Sequence, residues 1–202
     1  MTKNIFILIT LLSSGTYAQS DTSFVRLATL STQFEYDMRY ATSNNFLKEK
    51  VYSCGDCLLR KEVALALVEA NSYFIKKGYR IKLFDCYRPL DVQKKMWVIM
   101  PDARYVADPS KGSVHNRGGA VDLTLTDQKG HELDMGTDFD HFGKEAHHAW
   151  EELPEAVLQN RQLLKKGMEQ AGFKSIPTEW WHYNFQSSAG YPVSNFKVEC
   201  KK

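Results

Sequence analysis

Ser113-Val114-His115-Asn116-Arg117-Gly118-Gly119-Ala120-Val121-Asp122-Leu123-Thr124-Leu125-Thr126 reads as a loop running into a strand. From residue 120 to 126 apolar and polar side chains alternate. Val121, Leu123 and Leu125 point to one side, and Asp122 and Thr124 to the other. The apolar side needs a core to pack on, and the opposite side presents Asp122 to a cleft. Upstream, residues 108–119 are rich in Gly, Ser and Pro. Gly118 and Gly119 let the backbone bend so that His115 and Asp122 converge.

The elements around this strand follow from hydrophobic periodicity. Residues 58–77 predict the strongest helix, with Leu59, Val63, Ala66, Leu67, Ala70 and Phe74 on one face and Gly78 as the stop. Residues 80–84 read as a strand, and Arg88-Pro89 starts a turn. A second helix is expected over 90–100, closed by Pro101. A third is expected over 154–171, with Pro154 in its first turn. Its stripe is Val157, Leu164, Met168 and Ala171, and Gly172 ends it. Residues 179–185 are aromatic and β-rich, a last strand. Residues 24–40 carry aromatics at strand-like spacing, and 37–46 read as a loop. The sum is an α+β single domain, a small and mostly antiparallel sheet flanked by helices.

The chain has 202 residues, enough for one domain with a proper core. A formal charge of +2 with no basic run gives no reason to expect nucleic acid as a partner. The first residues stand apart. A short positive start, Met1-Thr2-Lys3-Asn4, precedes an apolar run from Ile5 to Leu12, and Thr16-Tyr17-Ala18 offers small residues where a signal peptidase reads. Residues 1–18 are therefore expected to be a secretory signal. The mature domain would be 19–202, exported to a periplasm or secreted, and without a membrane attachment after cleavage. The apolar run is much shorter than the ~20 residues a spanning helix needs.

Four cysteines, Cys54, Cys57, Cys86 and Cys200, fit an oxidising compartment. Cys54-Gly55-Asp56-Cys57 has knuckle-like spacing, but no second pair follows at metal-site spacing. Cys57 lies before the first helix and Cys86 at the end of the strand that returns beside it, so these two are expected to pair. Cys54 with Cys200 is the remaining combination.

Two stretches carry candidate chemistry: the run from Ser113 to Asp122, and Glu179-Trp180-Trp181-His182. Together they offer two imidazoles, a carboxylate to bind a cation and a spare carboxylate. A catalytic zinc takes three protein ligands and keeps one open position. His115, Asp122 and His182 can supply the three, leaving Glu179 for proton transfer. On spacing alone the set is as compatible with separate structural roles as with a metal site. One geometric demand is clear. Residues three apart on a regular strand face opposite sides, so Glu179 and His182 can share a site only across a turn or a bulge. His131, His141, His147 and His148 are assigned to capping or packing, and Trp180 and Trp181 to core or wall packing.

These residues carry a resemblance. The Ser-x-His-x-x-Gly-x-Ala-x-Asp run and the Glu-x-Trp-His run resemble the signature of the zinc D-alanyl-D-alanine peptidases, a superfamily that includes the zinc-binding domain of hedgehog proteins. Arg39-Tyr40-Ala41-Thr42 with Asn45-Phe46, Asp85-Cys86-Tyr87-Arg88-Pro89, and Met135-Gly136-Thr137-Asp138-Phe139-Asp140 resemble the D-alanyl-D-alanine dipeptidases of the VanX type. The resemblance covers nearly the whole mature chain. It implies a zinc ion held by His115, Asp122 and His182, Glu179 as general base, and Arg88 steadying the tetrahedral intermediate. It further implies that Tyr40, Ser113 and Asp140 hold a small dipeptide. The cysteines and the export signal depart from the family's general pattern. Two other functions fit parts of the same motifs: a carboxypeptidase or endopeptidase acting on cell-wall peptides through an open cleft, and a zinc-binding module without turnover. The intact set of Glu179, Arg88 and three ligands argues against the second.

Overall fold

The computed structural model describes residues 23–200. The proposed signal at 1–18 lies outside them. The elements in chain order are β1 (Phe24–Arg26), β2 (Glu35–Tyr36), β3 (Leu58–Arg60), α1 (Lys61–Ile75), β4 (Arg80–Asp85) and α2 (Leu90–Ile99). They are followed by β5 (Ala120–Thr126), α3 (Glu155–Gln170), β6 (Phe173–Ile176) and β7 (Glu179–Phe185). Short 3-10 turns fall between them, including His115–Arg117 just before β5. Among the described residues no helix is long and apolar enough to cross a membrane.

A five-stranded sheet runs in the order β2-β4-β5-β7-β6, and β1 pairs with β3 in a separate two-stranded ribbon. In the large sheet only β2–β4 is parallel, and the other three pairs are antiparallel. The expected α+β architecture is thus present, with β5 in the middle. Helices α1 and α3 pack on each other and on strands β4, β6 and β7. Val121, Leu123 and Leu125 join Val63, Leu67, Phe74, Leu164 and Met168 in the core. All seven residues of β5 are buried, so Asp122 and Thr124 are covered too, where the sequence pattern showed only a cleft side.

The helix expected over 58–77 begins three residues late. Leu58, Leu59 and Arg60 pair with Arg26, Val25 and Phe24 instead. The Leu58 carbonyl also accepts the Tyr87 amide at 3.0 Å, so these residues are bound from two sides as a strand. Leu59, counted on the helix stripe, belongs to that ribbon. The helix ends at Ile75, two residues before the expected Lys77, and Gly78 closes the turn that follows. Gly78 has φ +87°, and its amide donates to the Ile75 carbonyl at 3.0 Å. Helix α3 buries Val157, Leu164 and Met168 as predicted, and Arg161 with them. The Arg161 guanidinium donates to the carbonyls of Met135, His147 and Glu145 and so pins the 135–147 loop. Strand β6 was not expected.

Both disulfides form, Cys57–Cys86 and Cys54–Cys200, with Cα–Cα distances of 5.4 and 5.8 Å. Cys57 precedes strand β3 rather than a helix, and Cys86 follows the last residue of β4. The ends lie close because Leu58 and Tyr87 are hydrogen-bonded neighbours.

Candidate metal centre

Strand pairing builds the centre. Asp122 on β5 lies directly opposite His182 on β7. On its other side a register shift between Leu83 and Asp85 sets Asp85 opposite Asp122. Cross-strand neighbours are within side-chain reach, and His182 Nδ1 is 2.9 Å from Asp122 Oδ1. The 3-10 turn ahead of β5 brings in His115, whose Nε2 lies 3.2 Å from His182 Nδ1 and 3.4 Å from Asp122 Oδ2. The turn ends at Gly118, which takes φ +71° where a side chain would be strained. One ligand atom from each of His115, Asp122 and His182 lies within 4.8 Å of the others, the only such group among the described residues.

The bulge demanded by the sequence is there. Strand β7 pairs Tyr183 with Ser175 but Glu179 with Ile176, a shift in register that lets Glu179 turn inward. Its Oε2 lies 3.8 Å from His182 Nδ1. Burial and then the charge of Asp122 raise the Glu179 carboxyl above its ordinary value, against the pull of His182, His115 and Arg88.

Each imidazole is anchored by its outer nitrogen. His115 Nδ1 donates to the Cys86 carbonyl at 2.7 Å, and His182 Nε2 donates to Asn184 Oδ1 at 2.9 Å. These acceptors assign the ring protons. The inner nitrogens then face one another with lone pairs, 3.2 Å apart and beside a carboxylate. That arrangement repels itself until positive charge sits within it. In the absence of a cation a proton does so. Burial opposes charge on His182, but the hydrogen bond and charge of Asp122 more than offset this and lift the imidazole to about 9. Burial likewise opposes charge on Asp122, yet the imidazoles hold its carboxyl well below the usual carboxylate range. Two nitrogens and one oxygen with anchored outer atoms suit a borderline cation such as zinc.

The remaining predicted residues close around the same space. Arg88 Nη2 donates to Asp85 Oδ2 at 2.6 Å, Nη1 to Gln93 Oε1 at 2.9 Å, and the guanidinium lies 5.2 Å from the Tyr40 ring centre. Tyr52 donates its hydroxyl to Asp85 Oδ1 at 2.6 Å. The Tyr40 hydroxyl donates to Asp140 at 3.0 Å. Burial, then the charge of Asp140, keeps that phenol protonated by raising it well above its ordinary value. Asp140 itself adopts φ +61°, a strained conformation for a non-glycine residue. Burial and the Asp122 charge push its carboxyl well up. Tyr40, Arg88, Ser113, His115, Asp122, Asp140, Glu179 and His182 all line one cavity of about 140 Å³. Its wall also holds Trp181, together with Met96, Tyr105 and Phe142, three residues the sequence reading had not placed there.

The other histidines stay outside this cavity. His131 pairs with Asp127 and His141 with Glu145 at the surface. The His148 amide donates to Pro177. Burial, with Lys165 and Arg161, lowers its imidazole to about 4. Trp180 donates its indole N–H to Thr137 and Trp181 packs edge-on to Phe139, and both are buried in the core, in keeping with the core or wall packing expected of them.

Residues 20–200 match the D-ala-D-ala dipeptidase family. The chain belongs to that family of peptidases. A D-alanyl-D-alanine dipeptidase of Escherichia coli strain K12 is 36% identical over 179 residues, covering 89% of this chain and 93% of the relative. A protein of the same name from Enterococcus faecalis is 34% identical over 182 residues, covering 80% and 90%. Among solved structures, the vancomycin resistance D,D-pentapeptidase VanY, in complex with Zn(II), shares 14% identity at a TM-score of 0.42. That match covers 68% of this chain and 79% of the other.

Proposed function

We propose that this protein is an exported zinc dipeptidase that hydrolyses D-alanyl-D-alanine to two molecules of D-alanine. The observation that carries the reading is the pair of facing imidazole nitrogens beside Asp122, each ring fixed from behind and aimed at one point. His115 Nε2, His182 Nδ1 and an Asp122 oxygen would hold the zinc, which when bound supplies an acidified water and a polarised carbonyl.

The chain's own groups do the rest. Glu179 Oε2 stands beside the centre, with a proton affinity raised by burial. It takes a proton from the attacking water and returns it to the leaving amine. The Arg88 guanidinium is held rigidly by Asp85 and Gln93 and stabilises negative charge that develops on the carbonyl oxygen. One such donor is typically worth about 2.7–4 kcal/mol. Asp140, hydrogen-bonded by Tyr40, receives the substrate ammonium, and Ser113 lies on the same wall. A bound ammonium opposes the burial that raises the Asp140 carboxyl, so substrate and carboxylate charge each other.

The cavity of about 140 Å³ supports a dipeptide rather than a longer peptide. It is well below the roughly 300–1,000 Å³ of sites for drug-sized ligands. Two disulfides support export, since such bonds persist in oxidising compartments. The decisive experiment measures D-alanine release from D-Ala-D-Ala by the purified mature protein, with and without a chelator, beside N-acetyl-D-Ala-D-Ala and a muramyl pentapeptide. Release from the free dipeptide alone, abolished by the chelator and restored by zinc, is expected. Preference for the pentapeptide would replace the dipeptidase reading with a cell-wall carboxypeptidase.

A further inference from the structure

Cys86 is held by three handles at once. Its sulfur is bonded to Cys57. Its amide donates to Asp85 Oδ1 at 2.8 Å. Its carbonyl receives the His115 Nδ1 proton at 2.7 Å. The residue is completely buried. The neighbouring backbone is laced in the same way. Tyr87 donates its amide to Leu58 at 3.0 Å, and Arg88 donates its amide to the His115 carbonyl at 3.1 Å. Segments 57–58, 85–88 and the His115 turn thus form one unit, and the disulfide is its covalent link.

His115 Nδ1 has a rival acceptor, Asp85 Oδ2, at 3.6 Å. Which oxygen takes the proton sets the rotation of the ring, and with it the aim of Nε2. The carbonyl is the nearer of the two. The Asp85 carboxylate is thereby left to Arg88 and Tyr52.

We propose that the Cys57–Cys86 disulfide is a positioning element of the metal centre. By fixing the Cys86 peptide it sets the rotation of His115 about its Nδ1 hydrogen bond and keeps Asp85 free to orient Arg88. The inference rests on the zinc reading given above. The other disulfide has no such role. Cys54 and Cys200 lie outside the cavity wall, and their bond ties the C-terminal segment to the loop before β3.

The test is zinc binding by the metal-free protein, read by competition with a chromophoric chelator, together with kcat and KM on the dipeptide. Cys57→Ala keeps Cys86 but cuts the tether. Its zinc affinity is expected to fall by about 10- to 100-fold, the usual cost of losing a group that orients a metal-bound histidine. Its kcat should fall more than its KM rises. Cys54→Ser with Cys200→Ser should stay within about twofold of wild type on both readouts, being remote from the site. Cys57→Val with Cys86→Ala refills the buried volume should the single variant not fold. Long-range 1H–15N spectra of the metal-free wild-type protein read the His115 tautomer without any variant, and a proton on Nδ1 is expected. A folded tether variant with wild-type zinc affinity and kcat, or a wild-type His115 protonated on Nε2, overturns the inference. A wild-type protein that takes up no zinc overturns the metal reading itself, an outcome distinct from both.

Discussion

Glu179 and His182 lie three residues apart on one strand, yet their side chains meet at 3.8 Å because β7 breaks register with β6 between them. The carboxylate is close enough to serve the centre but is not among the three ligand atoms. Glu179→Gln keeps the shape and removes the base. The expected outcome is a kcat lower by about 100- to 10,000-fold, the range for losing a positioned proton acceptor, with zinc content unchanged by elemental analysis. A second consequence concerns protons and metal. Without a cation, His182 keeps its proton up to about 9 against an ordinary value of 6.5. Zinc must displace that proton, so apparent zinc affinity rises with pH until about 9. Calorimetry at pH 7 in buffers of different ionisation enthalpy should record proton release on binding. The same shift has a stability sign. In the metal-free protein the His182 contribution is complete below about 6.5 and is lost as pH rises through about 9. His115, Asp122, Glu179 and His182 stood out from their own residue types and spacing, whereas Arg88, Tyr40, Ser113 and Asp140 were named only through the family resemblance; all eight line one cavity. Asp85, Gln93 and Asn184 were not assigned roles. Their work is to hold another side chain, and that becomes visible only when packing brings the pair together.

Strand β5 was read correctly to both ends because alternation over seven residues admits no helical alternative. The edge strand β6, paired with β7, is four residues long, bounded by Gly172 and Pro177, and too short for any period to show. The start of α1 was misread for the opposite reason. Leu59 continues the helical stripe in sequence and Leu58 was the first residue of the expected helix, and only their pairing with β1 makes them a strand. Tertiary pairing overrode local pattern there. The join between the His115 turn and β5 is closely packed. A Cβ at Gly118 would stand 2.5 Å from the Phe24 ring and 3.3 Å from Arg60 Cγ, at φ +71°. Gly118→Ala therefore meets a left-handed backbone penalty of about 1–2 kcal/mol and an overpacking cost of about 1–3 kcal/mol. Because Gly118 closes the turn that carries His115, the loss in guanidinium unfolding should come with weakened zinc binding, whereas a surface Gly190→Ala change, with nothing within 4 Å of the new methyl, should do neither.

At the scale of the whole molecule the two disulfides divide labour. Cys54–Cys200 spans a sequence separation of 146 and Cys57–Cys86 one of 29. Cross-linking restricts the unfolded chain more as the loop lengthens. The chain-entropy relation gives about 5 kcal/mol for the long loop and about 3.6 kcal/mol for the short one. Either is a large fraction of the roughly 5–15 kcal/mol that holds a domain together. Stability and chemistry are therefore expected to come apart. Opening the long loop by Cys54→Ser with Cys200→Ser should lower the denaturation midpoint more, followed by tryptophan fluorescence, while the cavity at β5 and β7 keeps its geometry and turnover. Opening the short loop by Cys57→Val with Cys86→Ala should lower the midpoint less and turnover more, because the bond it removes stands one hydrogen bond away from a metal ligand. If global stability alone governed activity, the two variants would rank in the same order on both measurements. The crossed ranking is what a fold with one structural and one site-directed tether must give.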